Sequence, residues 1–469
     1  MKRTMKSAMI LCLCVLLMVC TMGVSSPSTP TPTETVDPGK ETIHVDEEVL
    51  GDTLAFTQEE YLAAMDMNIG TSDSARVQQV AKTYLAMARA STRDAEAYAV
   101  DTLIAPEYRT SNNIQYHIRA NEYLEKLYEA QERKITRDKM VFHESQAEVN
   151  GTHARFSVVE DYFYEDDLYE TMFNRVKKYT FFMEKIDGKW KICQIKTNDA
   201  WEAEDDFEYD VSQTAEELVE QVMTPVAYDP DEVDAAVAKE NAQNMGVSTQ
   251  SANATNYYWT YDRTKAVQYA AKHYSYANYN RAFGYSTGQD CQNFASQCVW
   301  AGLGGTGTNL DALPAITGTN AGTTPIWRRN YYHNSGAIDY GFNWAWDNVG
   351  GFAHMLEGGM GSTPPVYGPH GVVHTGGLVN ADIGDVIWYS KNGTPSLTST
   401  SSNFSHAMVV TKVTAGITTP FRQISDIWIA AHTDDSNSAN QPLLEYAHYA
   451  LSAYSCGRVL GGFYKVAQQ

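Results

Sequence analysis

Three side chains of the 469-residue sequence have the types and order of a thiol hydrolase: Cys291, then His406, then His432 with Asp434 two positions on. A thiol is a weak nucleophile until a base takes its proton, and the base needs a polar partner to fix its tautomer. Cys291 opens Cys-Gln-Asn-Phe-Ala-Ser-Gln-Cys-Val-Trp-Ala-Gly, which predicts a helix of about three turns. Asp290 stands at the N-cap position and Gly302 to Gly305 end the run. A first-turn cysteine faces unpaired backbone N–H groups and the positive end of the helix, which would lower its pKa. Cys291, Phe294, Ala295 and Cys298 recur at i, i+3, i+4 and i+7, so one face carries the thiol into the core. Seven residues of helix separate the two cysteines by roughly 10 Å, too far for a disulfide.

The elements that must present the histidines follow downstream. Gly384-Asp385-Val386-Ile387-Trp388-Tyr389 reads as a strand. Phe404 to Val413 reads as a second, with Phe404, His406, Met408 and Val410 on one side. Asp426 to Thr433 reads as a third, with Trp428, Ala430 and His432 on one side and Asp434 just past its end. The stretch from Gly304 to Gly384 shows few regular elements. His370 and His374 are four apart, but Pro369, Gly371, Gly376 and Gly377 argue against a helix and hence a zinc pair. No CxxC pair, phosphate loop or dinucleotide fingerprint is present, so neither a metal nor a cofactor is expected.

Asp-Cys-Gln-Asn-Phe-Ala-Ser-Gln-Cys-Val-Trp-Ala-Gly, the Gly-Asp strand and Ser-His-Ala-Met-Val-Val together resemble the putative-amidase domain family of secreted Gram-positive proteins. More distantly they resemble the NlpC-like and CHAP-like cysteine peptidases and amidases, which are papain-like in fold. The resemblance covers about residues 257–469. It implies Cys291 as nucleophile, His406 as general base and acid, and His432 as orienting group, with Asp434 and Asp426 as alternatives. It implies an oxyanion hole at the Cys291 backbone N–H. Gln289 lies only two residues upstream, nearer than the several-residue spacing of the donor glutamine in such enzymes. Phe342 to Trp346 and Trp327 resemble the aromatic segments that shape a cleft in this family. The substrate class implied is an amide in peptidoglycan peptides or a related extracellular substrate. A catalytically silent binding or scaffold protein on the same fold is the alternative.

The rest of the chain sets the context. Residues 1–26 have a basic start, an apolar run from Ala8 to Val19 and small residues at the end, the pattern of a secretory signal. Cys20 could mark a lipoprotein, but Leu17-Met18-Val19 lacks the small residues such a site shows. Residues 27–45 are a Thr/Pro-rich stalk. Residues 46–200 read as an α+β accessory domain, with helices from Ser74 to Ala90 and Asn113 to Arg133. Two hairpins follow, at Asn150-Gly151 and Asp187-Gly188. This order is similar to a nuclear-transport-factor-like cone domain, which implies a module that dimerises or binds wall or protein. The acidic run Asp161, Glu165, Asp166, Asp167 reads as a solvated strand end. Residues 201–256 form an acidic linker with two helical stretches, and 257–469 form the catalytic domain; the fold class expected is α+β.

The formal charge is −22, and removing residues 1–26, with three basic and no acidic residues, makes it −25. Such a surface has no footprint for nucleic acid and is repelled by anionic membranes. With the signal gone, a secreted or wall-associated protein with no membrane partner is expected. Four cysteines remain in the mature chain, too few for a disulfide scaffold, and a Cys298–Cys456 bridge is conceivable.

Overall fold

Two helices and an antiparallel meander begin the part of the computed structural model that can be described. It describes residues 72–465 except 95–96, 145–146, 169–171, 198–210, 226, 228, 250–255, 275–289, 306–328, 335–336, 343–345, 347, 358–366, 391–394, 399–401, 415–421, 434–435 and 447–452. All of these fall in one compact unit, Thr42–Gln469. The fold class is α+β, with antiparallel strand ladders.

Helix α1 (Asp73–Asp94) buries Val77, Val80, Ala81, Tyr84, Leu85 and Ala88, an apolar stripe at helical period. Helix α2 (Asn112–Ala130) starts at Ser111, whose side chain accepts from the Ile114 N–H. Strands β1 (Ile135–Glu144), β2 (Glu148–Asn150), β3 (His153–Asp166), β4 (Met172–Ile186) and β5 (Lys189–Thr197) follow. Both expected hairpins form. Asn150 pairs with His153 around Gly151 at φ +60°. Ile186 pairs with Lys189 around Asp187 and Gly188, both at positive φ, as a type I′ turn requires.

Helices α3 (Ala215–Met223) and α4 (Pro230–Thr249) occupy the acidic stretch. A capping box between Thr214 and Glu217 starts α3, which then buries Leu218, Val219 and Val222. Strand β6 (Asn256–Thr260), helix α5 (Arg263–His273) and helix α6 (Cys291–Gly302) come next. The Gly304 to Gly384 stretch is more regular than its composition predicts. It holds β7 (Arg329–Asn334), β8 (Ala337–Phe342), α7 (Val349–Leu356) and β9 (Tyr367–His374). His370 and His374 thus lie on a strand. The chain ends with β10 (Val386–Ser390), β11 (Phe404–Val413), β12 (Ile427–Thr433), β13 (Ser436–Pro442), α8 (Leu443–Tyr446) and β14 (Tyr454–Lys465).

The sheet runs β1-β3-β4-β13-β12-β11-β10-β14-β6, with β2 on β3, β5 on β4 and β9 on β14. Two partners share one edge of β4: β13 takes Asn174–Val176, and β5 takes Tyr179–Ile186. The first meander is therefore hydrogen-bonded into the sheet that carries the histidines. Helices α5, α6 and α7 cover one face of that sheet, packing on Val386, Trp388, Ala407, Val409 and Ala430. Helices α2, α3 and α8 cover the other, packing on Ile387, Tyr389, Met408, Val410 and Ile429.

Asp385 explains the Gly-Asp pair that opens β10. Gly384 sits at φ +77°, where only glycine is unstrained. The fully buried Asp385 carboxylate accepts from Arg263 Nη1 at 2.6 Å, Arg458 Nη1 at 3.1 Å and the Val459 N–H at 3.0 Å. It ties α5, β10 and β14 together. The acidic strand end also differs from expectation. Asp166 is buried, 2.5 Å from Arg133 Nη2, because the carboxylate has a guanidinium partner there.

Candidate active site

Helix α6 is buried on all sides, so its polar residues must find partners inside the protein. They do. Gln292 Oε1 accepts from Trp388 Nε1 at 3.0 Å, and Gln292 Nε2 donates to Ser296 Oγ at 3.2 Å. Asn293 Oδ1 accepts from Trp346 Nε1 at 2.7 Å, and Ser296 Oγ donates to the Trp346 carbonyl at 2.6 Å. Gln297 Oε1 accepts from Tyr269 OH at 2.8 Å. Trp346 thus clamps α6 from outside the helix. Trp327 and Asn343 to Ala345 fall outside the described residues. Glycine is needed at 302, the last residue of the helix, because a Cβ there would come within 2.2 Å of the Tyr261 ring.

Cys291 is the first residue of α6 and is 4 % exposed. The backbone N–H groups of Ala407, Gln292 and Cys291 itself favour its thiolate. Cys291, Phe294, Ala295 and Cys298 all enter one core, as the spacing expects. The expected low thiol pKa is not found. Burial, aided by the negative charge of Asp290, outweighs the three N–H groups and pushes the thiol up to about 11. In this state the sulfur is a neutral, covered thiol.

Asp290 does not act as the side-chain cap its position predicts. Its Oδ1 accepts from Asn293 Nδ2 at 2.8 Å, and its Oδ2 lies 3.1 Å from His432 Nδ1. Both partners of that pair are fully buried. At that distance the carboxylate can orient the imidazole, although the contact lacks hydrogen-bond geometry; an Nδ1 proton held there would leave Nε2 as the basic nitrogen. The His432 ring also lies 5.5 Å from the Phe294 ring. Ala430, two residues back along β12, packs in the same core as Cys291. His432 is therefore on the α6 side of the sheet, next to the residue that precedes the thiol.

His406 sits differently. Trp388 pairs with Ala407 and Tyr389 with His406, but Ser390 pairs with Phe404, so Ser405 is an extra residue, a β-bulge. Simple alternation puts Phe404 on the side of His406; the bulge returns Phe404 to the α6 side, with Ala407 and Val409. Directly paired residues share a side. His406 thus goes with Tyr389, its ring 5.8 Å away, and Tyr389 packs in the opposite core with Met408 and Cys456. The structure brings Asp290 and His432 together, and Cys291 follows Asp290 in the chain. It places His406 directly before Ala407 on β11, with its ring turned to the Tyr389 side of the sheet.

Asp434 and Gln289 lie outside the described residues. Asp426 accepts from the Gln423 N–H at 2.7 Å in a short turn. It precedes β12, about 20 Å of strand away from His432, so it does not orient that ring. Cys298 and Cys456 are free and belong to cores on opposite faces of the sheet, so they do not bridge. Asp290 is the residue whose role the sequence hides. The available signal was an acid directly before the thiol, with a histidine at the end of a strand facing it.

Residues 260–452, less than half of the chain, match the profile of a family described as "Putative amidase domain". That span holds α5, α6 and β9 to β13. No curated protein matches the chain. Among solved structures, a single-site variant of Rv3472, a protein of unknown function from Mycobacterium tuberculosis, is similar at 10% identity. The match covers 28% of this chain and 76% of that one, and its TM-score of 0.20 carries no argument.

Proposed function

We propose that the chain is a secreted cysteine amidase or peptidase. Cys291 attacks an amide carbonyl in a peptidoglycan peptide or a related extracellular substrate. The observation that supports this most is the Cys291 thiol at the start of α6, directly after Asp290, whose carboxylate lies 3.1 Å from His432 Nδ1. His432 Nε2 takes the thiol proton as sulfur bonds to the carbonyl carbon. Asp290 stabilises the imidazolium that forms, and the same proton passes to the departing amine. Water then cleaves the thioester and frees a carboxylate. The Cys291 backbone N–H, at the start of α6, would serve the oxyanion.

His406 is the base under the family resemblance, and its place beside Ala407 favours that second assignment. Reaching the sulfur would require its ring to leave Tyr389. A neutral, buried thiol also means that substrate binding must uncover it.

The test is mass spectrometry of muropeptides incubated with wild type and Cys291→Ala. Loss of all products in the variant supports the reading. No cleavage by either protein, across a panel of peptide amides, would favour a silent binding protein.

A further inference from the structure

Asp290 gives up a helix cap to face a histidine. An aspartate just before a helix ordinarily accepts from a first-turn backbone N–H. Asp290 makes no such bond. Its Oδ1 accepts instead from Asn293 Nδ2 at 2.8 Å, and its Oδ2 is turned to His432 Nδ1 at 3.1 Å. The hydrogen bonds that hold the carboxylate in this setting continue along α6.

Asn293 lies about one helical turn on from Asp290, on the same side of α6. Its amide stands between two groups of opposite kind. The Trp346 indole N–H, whose nitrogen is 2.7 Å from Asn293 Oδ1, can only donate, and an ionised carboxylate can only accept. One orientation of the amide satisfies both, so the indole fixes which end of Asn293 meets Asp290. Trp346 is itself anchored: its carbonyl accepts from Ser296 Oγ at 2.6 Å, a further turn along the helix. The Phe294 ring, 5.5 Å from that of His432, flanks the imidazole. Asp290, Asn293, Trp346 and His432 are all buried, so a bond lost from this series is not replaced by bulk water.

We propose that Asn293 and Trp346 are positioning residues. The indole N–H orients the Asn293 amide, the amide holds Asp290 Oδ1, and Oδ2 is thereby aimed at His432 Nδ1. Both act through Asp290 and take no proton themselves. The inference rests on the reading of His432 as the base, and it requires the neutral imidazole to be kept in its Nδ1–H form.

Trp346→Phe removes the indole N–H, whereas Trp346→His brings a ring of similar size that can still donate. Muropeptide kinetics should separate the two: kcat about tenfold lower in Trp346→Phe at unchanged KM, and mostly restored in Trp346→His. NMR of the His432 ring nitrogens reads the same point without activity, in the full chain carrying Cys291→Ala. The parent ring should be the Nδ1–H tautomer. Asn293→Leu, which fills the space but cannot donate, should give a mixture of both tautomers. Equal rates for Trp346→Phe and Trp346→His would reduce Trp346 to packing and overturn the proposal. A parent ring in the Nε2–H form, or an unchanged ring in Asn293→Leu, would overturn it too. Should wild type cleave no substrate, the hydrolase reading fails by itself, and the tautomer comparison still decides the positioning role. If Asn293→Leu does not fold, Trp346→Phe against Trp346→His in the Cys291→Ala chain supplies that comparison.

Discussion

The two halves of the sheet bury polarity in different ways. Around β1 to β4 the interior holds full charges set against opposite ones: Arg89 on Glu160, and Arg133 on both Asp166 and Glu445. Along α6 itself the described side chains join amides, hydroxyls and indoles in hydrogen bonds, with the ionisable contact of Asp290 and His432 at its start. Matched charges are rigid but electrostatically quiet at a distance. A neutral network leaves a single carboxylate to act on the imidazole and the thiol beside it. The first arrangement suits a brace and the second suits proton transfer.

The largest expected effect tests the second arrangement. His432→Gln should lower kcat by about 10³ to 10⁴, the scale of losing a triad base. Asp290→Asn, which keeps the shape but removes the charge, should cost about 10² or more in kcat and leave KM nearly unchanged. His406→Gln should cost much less, because its ring faces Tyr389. If His406→Gln is the more damaging of the two histidine variants, the roles are exchanged and the β11 ring must turn during catalysis.

Glu445 tests the first arrangement and the join between the halves. It sits just after β13, which pairs with β4 on one side and, through Asn437, with His432 on the other. Its carboxylate is buried on Arg133, Tyr128 and Tyr164. Glu445→Ala removes one of the two carboxylates on buried Arg133 and should destabilise by about 3 kcal/mol, the low end for a broken buried pair because Asp166 still faces the guanidinium. Chemical denaturation reads this. The sharper readout is amide hydrogen exchange along β12 and β13. Faster exchange there would show that the first meander holds the His432 strand in place, and unchanged exchange would show two mechanically separate halves.

What the sequence made legible follows from periodicity and turn chemistry. The α6 stripe, the α1 stripe and both hairpins rest on local rules, and the structure has them. The bulge at Ser405 breaks strict alternation by one residue, and no residue type around it announces this. The Asp290–His432 contact joins positions 142 residues apart in the chain. The β4–β13 pairing links segments that read as separate units, because strand edges carry no sequence label. The thiol pKa was misjudged for a physical reason. Helix-end donors lower it, but desolvation of a 4 % exposed sulfur is the larger effect.

Two cysteines, one in each half, turn that last point into a comparison. Burial pushes both Cys193 and Cys291 up to about 11 from an ordinary value of 9.0. Cys193 is part-buried on β5, where Glu184 and Glu107 add to the shift, whereas the sulfur of Cys291 is covered and has backbone N–H groups to help its anion. Iodoacetamide reacts with the thiolate, so alkylation of either should rise about tenfold per pH unit up to the thiol pKa. Mass spectrometry of tryptic peptides from pH 7 to 11 follows both residues in one sample. The Cys291 rate should still be climbing at pH 10. A plateau below pH 8 would mean that a thiolate–imidazolium pair already exists at rest. A plateau near 9 would mean that the reagent meets Cys291 only after the chain opens. The folded chain holds this proton more tightly than the unfolded one. Its contribution to stability is therefore complete below about pH 9 and is lost as pH rises towards 11. Cys291→Ala should remove that alkaline loss and leave the acid side of the stability curve unchanged.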